Sequence, residues 1–436
     1  MATDNSTGTH VIQKRTNKRK GVKIDYHESQ ATSQKLQRNK RLKKSQPSSS
    51  CPQKASLKGD VPPLAKFLAS NDKKTRDRAI DALNKFLSHS KSNQSIKVSN
   101  EELFSAENQT GADDLKFEEE ISADDEDEDE DERLCGLELG KLYKGLFYCY
   151  WMSDKPIVQQ ELAQELSTLC LVVRPMKLSA DRTDDRWRTK LLVTRSGLKF
   201  WNGFWEALNR EWHGVDRHRI DKYLLLMRRF VGVGFRLLQR IGWRKQSIAL
   251  WSQILKSTIF NVSDHKTCLS ITYHYIDIFL EELNLVISLD PKASDKRFSI
   301  LEILDPIFHA LSNSQPGTAT FLKLIEEILD PIFAMIDQFV NSYNTLTQSE
   351  SQMNESLKNN IKPPKKAHQP SFNIFSSTSS ETDHLKSLRV DLLSIIFKIG
   401  SDAQCLDSNR KKIYNYWISK GGKEVLDDDD DVDVDK

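Results

Sequence analysis

Apolar residues at intervals of three and four recur through the middle of this chain, and that spacing restricts it to amphipathic helices packed on one another. KFWNGFWEALNREW places Phe200, Phe204, Leu208 and Trp212 four apart. KLYKGLFYCYW aligns Leu142, Leu146 and Tyr150, and RIDKYLLLMRRFV aligns Ile220, Tyr223, Leu224, Met227 and Val231. TYHYIDIFLEELNLVI aligns Ile276, Phe279, Leu280, Leu283 and Ile287, and strand-like alternation is nowhere comparable. Earlier, VPPLAKFLASNDKKTRDRAIDALNKFLS reads as two short helices. Leu64, Phe67 and Leu68 share one face, Ile80, Leu83 and Leu87 another, and Asn71 or Asp72 caps the second helix. The expected fold is all-α: antiparallel helix pairs in an irregular HEAT-like stack.

The hexapeptide ILDPIF occurs twice, within Leu301 to Leu311 and within Glu326 to Ile336. In each copy aspartate followed by proline can begin a helix, because proline at the first helical position loses no bond the helix needs. For the second copy a proline kink inside a longer helix is an equal alternative. One duplicated hexapeptide supports a repeat architecture only weakly.

The net charge of +2 hides opposed blocks. Residues 1–60 carry KRTNKRK and KLQRNKRLKK with almost no apolar periodicity, and are expected to form a disordered basic arm. The arm reads as a nuclear-import signal, a phosphate-binding segment or a solubilising tail, with Lys14, Arg15, Lys18, Arg19 and Lys20 as candidate contacts. A helical domain over 61–340 is interrupted at about 105–133 by an acidic insert containing DDEDEDEDE. A polar linker follows over 341–380, then a further helical segment over 381–420 and an acidic tail over 421–436. In that later segment Leu385, Leu388, Leu392, Ile395 and Ile399 form one stripe, and a short element holds Tyr414 and Trp417. Ser122, before Ala123, Asp124 and Asp125, fits an acidophilic kinase context, a weak and common pattern.

The cysteines Cys51, Cys135, Cys149, Cys170, Cys268 and Cys405 form no CxxC pair, which points to free thiols in a reducing compartment. The polar start MATDNSTGTH and the lack of an apolar run near the roughly 20 residues of a membrane span point to a soluble intracellular chain without a membrane partner. A metal site for cutting RNA needs carboxylates converging on a rigid frame. Here Asp184 and Asp185 are merely adjacent, and the densest acids lie in low-complexity tracts. His213 and His218 stand five apart, off one helical face, and Gly232 and Gly234 in VGVGF lack the strand a nucleotide loop needs. No catalytic, cofactor or metal residue is expected, and the reading is non-enzymatic.

Arg228, Arg229, Arg236, Arg240, Arg244 and Lys245 are candidates for a basic ridge against RNA or an acidic protein, with an ordinary solvated face as the alternative. Trp205 and Trp212 fall on or beside the apolar stripe, which favours core packing over base stacking. Two dense polar stretches interrupt apolar helices: Ser153, Asp154 and Lys155 after Trp151, then Asp216, Arg217, Arg219, Asp221 and Lys222. Asp154 before Lys155 and Pro156 suits a helix cap, and the second stretch suits either ties between helices or a docking surface.

GKLYKGLFYCYWMSDKPIVQQELAQEL and FWNGFWEALNREWHGVDRHRIDKYLLLMRRFV resemble the two signature blocks of the ribosomal RNA-processing protein 1 family, also called the nucleolar protein 52 family. PPLAKFLASNDKKTRDRAIDALNKFLS is similar to that family's opening segment, and the paired ILDPIF region to its later helices. The resemblance covers roughly Pro62 to Ile336 and leaves out the basic arm, the acidic insert and everything beyond about Asn341.

It implies participation in maturation of pre-ribosomal RNA for the large subunit, in the nucleolus, as a component of the large-subunit pre-ribosomal particle. Together with the residues this gives a nuclear scaffold without a cofactor that binds other assembly factors and pre-ribosomal RNA, and the basic arm adds a nuclear import receptor as partner. A helical adaptor or chaperone for basic proteins, using the acidic tracts, is the rival. If those tracts modulate binding, deleting residues 124–132 changes RNA affinity or particle association. A binding titration and a pull-down from nuclear extract check this, and no change in either overturns it.

Overall fold

Helix starts follow local chemistry. The Asp72 carboxylate accepts from the backbone N–H of Thr75 at 3.0 Å, so Asp72 rather than Asn71 caps the helix that begins at Lys73. Pro156 and Pro306 each occupy the first turn of a helix, where a missing N–H costs nothing. The computed structural model describes residues 64–88, 136–175, 186–289, 298–341 and 381–423, all within the unit Asp60–Lys436. The basic arm, the acidic insert, residues 342–380 and the acidic tail beyond residue 423 lie outside these.

The helices are α1 (Leu64–Leu68), α2 (Lys73–Ser88), α3 (Gly136–Trp151), α4 (Pro156–Val172), α5 (Arg186–Glu211), α6 (Ile220–Arg240), α7 (Lys245–Ser257) and α8 (Leu269–Leu289). They continue as α9 (Ile300–Ile303), α10 (Asp305–Asn313), α11 from Thr320, α12 (Glu381–Ser401) and α13 (Asp407–Ser419). No strand occurs among the described residues, and none of the described helices is long and apolar enough to cross a membrane.

Two layers alternate along the chain. α3 packs on α5, α5 on α7, and α7 on α9 and α10, while α2 packs on α4, α4 on α6, α6 on α8, and α8 on α11. Successive helices are antiparallel: Gly197, Trp201 and Phe204 of α5 meet Leu237, Gly234 and Phe230 of α6 in turn. Neighbours within the second layer run parallel, as His274, Glu282 and Val286 of α8 meet Leu224, Arg228 and Gln239 of α6. This is an irregular HEAT-like stack of helix pairs.

Large aromatics fill the space between layers. Phe200, Trp201 and Trp205 are fully buried, Phe204 stacks on Phe230 at 3.6 Å, and Trp205 meets Tyr275 edge-on at 5.5 Å. The Trp201 indole N–H donates to the carbonyl of Phe230 at 2.8 Å. Gly234 permits this approach, because a Cβ there would lie 2.9 Å from the Trp201 ring. Trp212 sits at the edge of the stripe: it opens a 3-10 turn, packs half-buried against the core, and donates to the Ser270 hydroxyl at 2.7 Å.

Some faces differ from the periodicity. In α3, Tyr143 and Phe147 are buried while Leu142 is only half-buried, because α1, α4 and α5 all pack on this helix. In α12 the inward residues are Leu385, Leu388, Leu392, Leu393 and Ile396, with Ile395 and Ile399 at the flank. α12 meets both α13 and α10, which rotates its buried stripe.

The two ILDPIF copies also part ways. The first begins α10 at Asp305. In the second, Pro331 sits inside a helix running to residue 341, just after a π-helical turn at Ile325–Leu329. Of the two alternatives, the structure therefore has the proline inside a longer helix. Both aspartates nevertheless tie their helix to another: Asp305 to Lys256 at 2.6 Å, and Asp330 to Lys420 at 2.7 Å and the Tyr416 hydroxyl at 2.9 Å. Cys149, Cys170, Cys268 and Cys405 are free thiols.

Two half-buried histidines sit in this packing. Burial holds the imidazoles of His274 and His309 below the ordinary value of 6.5; a hydrogen bond with the Leu224 carbonyl opposes this at His274, and Lys256 adds to it at His309. The unfolded chain therefore binds more protons than the native one as pH falls below 6.5, so their contribution to stability is present above that pH and lost on acidification. Thermal melts at neutral and mildly acidic pH should show a shallower acid loss in a His274→Gln/His309→Gln variant than in the wild type.

Candidate functional site

An α-helix ends in carbonyls with no intrahelical partner and with partial negative charge. α3 ends this way at Trp151, and Lys222 in the first turn of α6 answers it. Its Nζ donates to the carbonyls of Trp151 at 2.6 Å and Ser153 at 2.8 Å. Tyr150 returns a bond from its hydroxyl to the Lys222 carbonyl at 2.8 Å, and the Tyr223 hydroxyl donates to the Phe147 carbonyl at 2.9 Å.

Arg219 lies over the Trp151 ring at 4.4 Å and pairs with Asp216. Asp216 also accepts from the backbone N–H of His218 at 2.9 Å. Burial acts to raise its pKa, yet the bonds from Arg219 and His218 outweigh that and hold the carboxyl below the usual value. Burial first, then Arg219, bring Lys222 down to about 8 against the opposing pull of Asp154 and Asp216. The amine remains an ammonium at neutral pH.

The structure thus brings together Trp151, Asp154, Asp216, Arg219 and Lys222 from the two polar stretches, while Asp154, Lys155, Arg217 and Asp221 are exposed. Asp154 is not the cap of α4: that position falls to Lys155, with no side-chain cap bond, because the helix starts one residue later than a capping aspartate would need. Ile157, which the spacing did not single out, is 70% exposed beside this corner. No periodicity marks an apolar residue left outside a stripe.

The six basic candidates do not form one outward ridge. Arg228 pairs with Glu281 at 2.8 Å and Glu282 at 3.1 Å. Arg240 donates to the Leu171 carbonyl at 2.9 Å, and burial, with Arg174 nearby, lowers it to about 10. Arg244 is buried with its guanidinium 4.0 Å over the Trp187 ring. Lys245 is exposed and faces Glu302 at 3.6 Å. Arg229 and Arg236 are half-buried. The reason is tertiary: α4 and α8 flank α6, so residues that a lone helix would expose are partly enclosed. Gly232 and Gly234 sit within α6 as packing glycines, a Cβ at Gly232 falling 2.8 Å from a Glu282 carboxylate oxygen. Lys14, Arg15, Lys18, Arg19, Lys20 and Ser122 lie outside the described residues.

A second tie was not legible from spacing. The Asn409 amide, in the first turn of α13, donates to the carbonyls of Ser312 at 3.1 Å and Ser314 at 2.8 Å, closing the end of α10 as Lys222 closes α3. Arg389 of α12 pairs with Asp337 at 3.2 Å. These contacts join α12 and α13 to the stack.

A family profile described as "Nucleolar protein, Nop52" matches residues 59–108 and 116–416. The chain belongs to the Nop52 family of nucleolar proteins. The match runs past Asn341 through α12 and most of α13, so the family region extends beyond the stretch ending near Ile336 that the signature blocks delimit. The chain is 28% identical over 273 residues to ribosomal RNA processing protein 1 homolog B of Mus musculus, covering 63% of this chain and 29% of that one. It is 27% identical over 285 residues to homolog A of Homo sapiens, covering 65% and 49%. A Drosophila melanogaster homolog is 32% identical over 143 residues, 33% of this chain and 18% of the other. The chain therefore spans about half or less of the length of these relatives.

Lys222 is structural on this geometry. Replacing it by methionine leaves the Trp151 and Ser153 carbonyls unpaired and should lower stability by about 1–3 kcal/mol in denaturant unfolding. Lys155→Met, on the exposed side of the same corner, should change it by less than about 0.5 kcal/mol.

Proposed function

We propose that this Nop52-family chain is a non-enzymatic scaffold in the maturation of pre-ribosomal RNA for the large subunit, working in the nucleolus. It binds assembly factors and pre-ribosomal RNA within the large-subunit pre-ribosomal particle, and the basic arm serves nuclear import and salt-sensitive RNA affinity. The observation that carries this reading is the family match, which covers the helical stack from its first helix into its last. The names of the relatives, which are ribosomal RNA processing proteins, set the process.

The arrangement of charge agrees with a positional role. Lys222, Arg228, Asp305, Asp330 and Arg389 each hold one helix against another. Such ties fix the spacing of helices, and a surface of fixed spacing is what a scaffold offers its neighbours.

Tagged full-length protein from nuclear extract should sediment with large particles containing large-subunit precursor RNA, and RNase should release it. Recovery in small RNase-resistant complexes with histones or free ribosomal proteins would overturn the scaffold reading in favour of a chaperone for basic proteins.

A further inference from the structure

Two arginines of α6 stand apart from the ties just described. At 100° per residue, Arg229, Arg236 and Arg240 fall within about 40° of one another around the helix, and Arg229 and Arg236 are about 10.5 Å apart along it. The α8-facing side of α6 is marked by Leu224, Arg228 and Gln239, and the side nearest α4 by Lys222 and Arg240, whose contacts lie at the two ends of α4. Arg229 and Arg236 lie between those two sides, on the line of α6 turned away from the interlayer core that holds Met227, Phe230 and Leu237.

That line is recessed. From Lys222 to Ile241 no residue is exposed, even on the side of the helix turned from the core, where Leu225 is half-buried and Glu282 of α8 reaches over Gly232. α6 therefore forms the floor of a trough with α4 and α8 as its walls. Its width, two interhelix spacings or about 18 Å between the wall axes, admits a single extended strand.

The charge on the floor is only partly balanced: Glu282 feels Arg229, but its carboxylate is bonded by Arg228. Asp277 and Glu281, the exposed acids of the α8 wall, are already paired with Lys323 and Arg228, and Glu282 is bonded by Arg228. Arg229 and Arg236 form no ion pair or hydrogen bond among the described residues, and the Nε of Arg229 is shut from solvent without an acceptor. A guanidinium without an ion pair calls for an anionic oxygen, and a phosphodiester supplies one in the geometry guanidinium binds best.

We propose that the trough between α4 and α8 is a binding site for the backbone of a single RNA strand, with Arg229 and Arg236 contacting successive phosphates. The site positions RNA without reading bases, as phosphate contacts do. This deepens the RNA-binding part of the proposed function and rests on it.

The test uses the purified full chain and a labelled oligouridylate, with binding followed by fluorescence anisotropy across a salt series. Arg229→Gln/Arg236→Gln should bind at least about tenfold more weakly, and its slope of log affinity against log salt should be shallower by about 1.4. Arg229→Lys/Arg236→Lys keeps the charge and should keep the slope while losing affinity, and it carries the test if the glutamine variant melts early.

An unchanged slope and affinity in the glutamine variant, with loss of binding when Lys14, Arg15, Lys18, Arg19 and Lys20 are neutralised, would overturn this site and leave RNA binding standing. A wild-type chain that binds polyglutamate but no RNA at low salt would overturn the RNA reading itself and assign the trough to an acidic protein segment.

Discussion

The close approach of α5 and α6 is the contact on which the stack depends. Trp201 packs into the space left by Gly234 and bonds to the Phe230 carbonyl, and Phe204 stacks on Phe230 one turn away. Large rings and small residues alternate across this seam, which is how an interior reaches high packing density without strain. Because α5 sits in one layer and α6 in the other, the seam fixes the distance between layers. Every later pair builds outward from that distance, α7 on α5 and α8 on α6.

Helix ends impose the second constraint. Closing a stack buries carbonyls that water would otherwise satisfy, and a later helix supplies the missing donor at the ends of α3, α4 and α10, Arg240 doing so for Leu171 of α4. Lys222 does so for α3 and Asn409 for α10, each from the first turn of its own helix. The two aspartates of the duplicated hexapeptide play the converse part, receiving Lys256 and Lys420 from neighbouring helices. Polar residues in the seams thus set register, while the aromatics supply most of the apolar burial.

Much of the helical architecture was legible because helix periodicity is local. Phe200, Phe204 and Leu208, and the five inward residues of α8, are buried as their spacing implies. The lapses occur where a helix has more neighbours than one face can describe: α3 is enclosed by three others, and α12 turns its stripe toward α10 and α13. The interaction surface was less legible. A run of basic residues on one helix looks like an exposed ridge until flanking helices engage Arg228, Arg240 and Arg244.

The sequence by itself determined the helical class, the positions of most helices and the family, because spacing, caps and signature blocks are written along the chain and need no partner. Only the tertiary structure decided which charges remain available, since Glu281, Glu282 and the Leu171 carbonyl approach α6 from elsewhere in the sequence. It also decided that the second hexapeptide lies inside a helix instead of starting one. Both outcomes depend on neighbours, and a residue's neighbours across a stack are set by packing rather than by sequence distance.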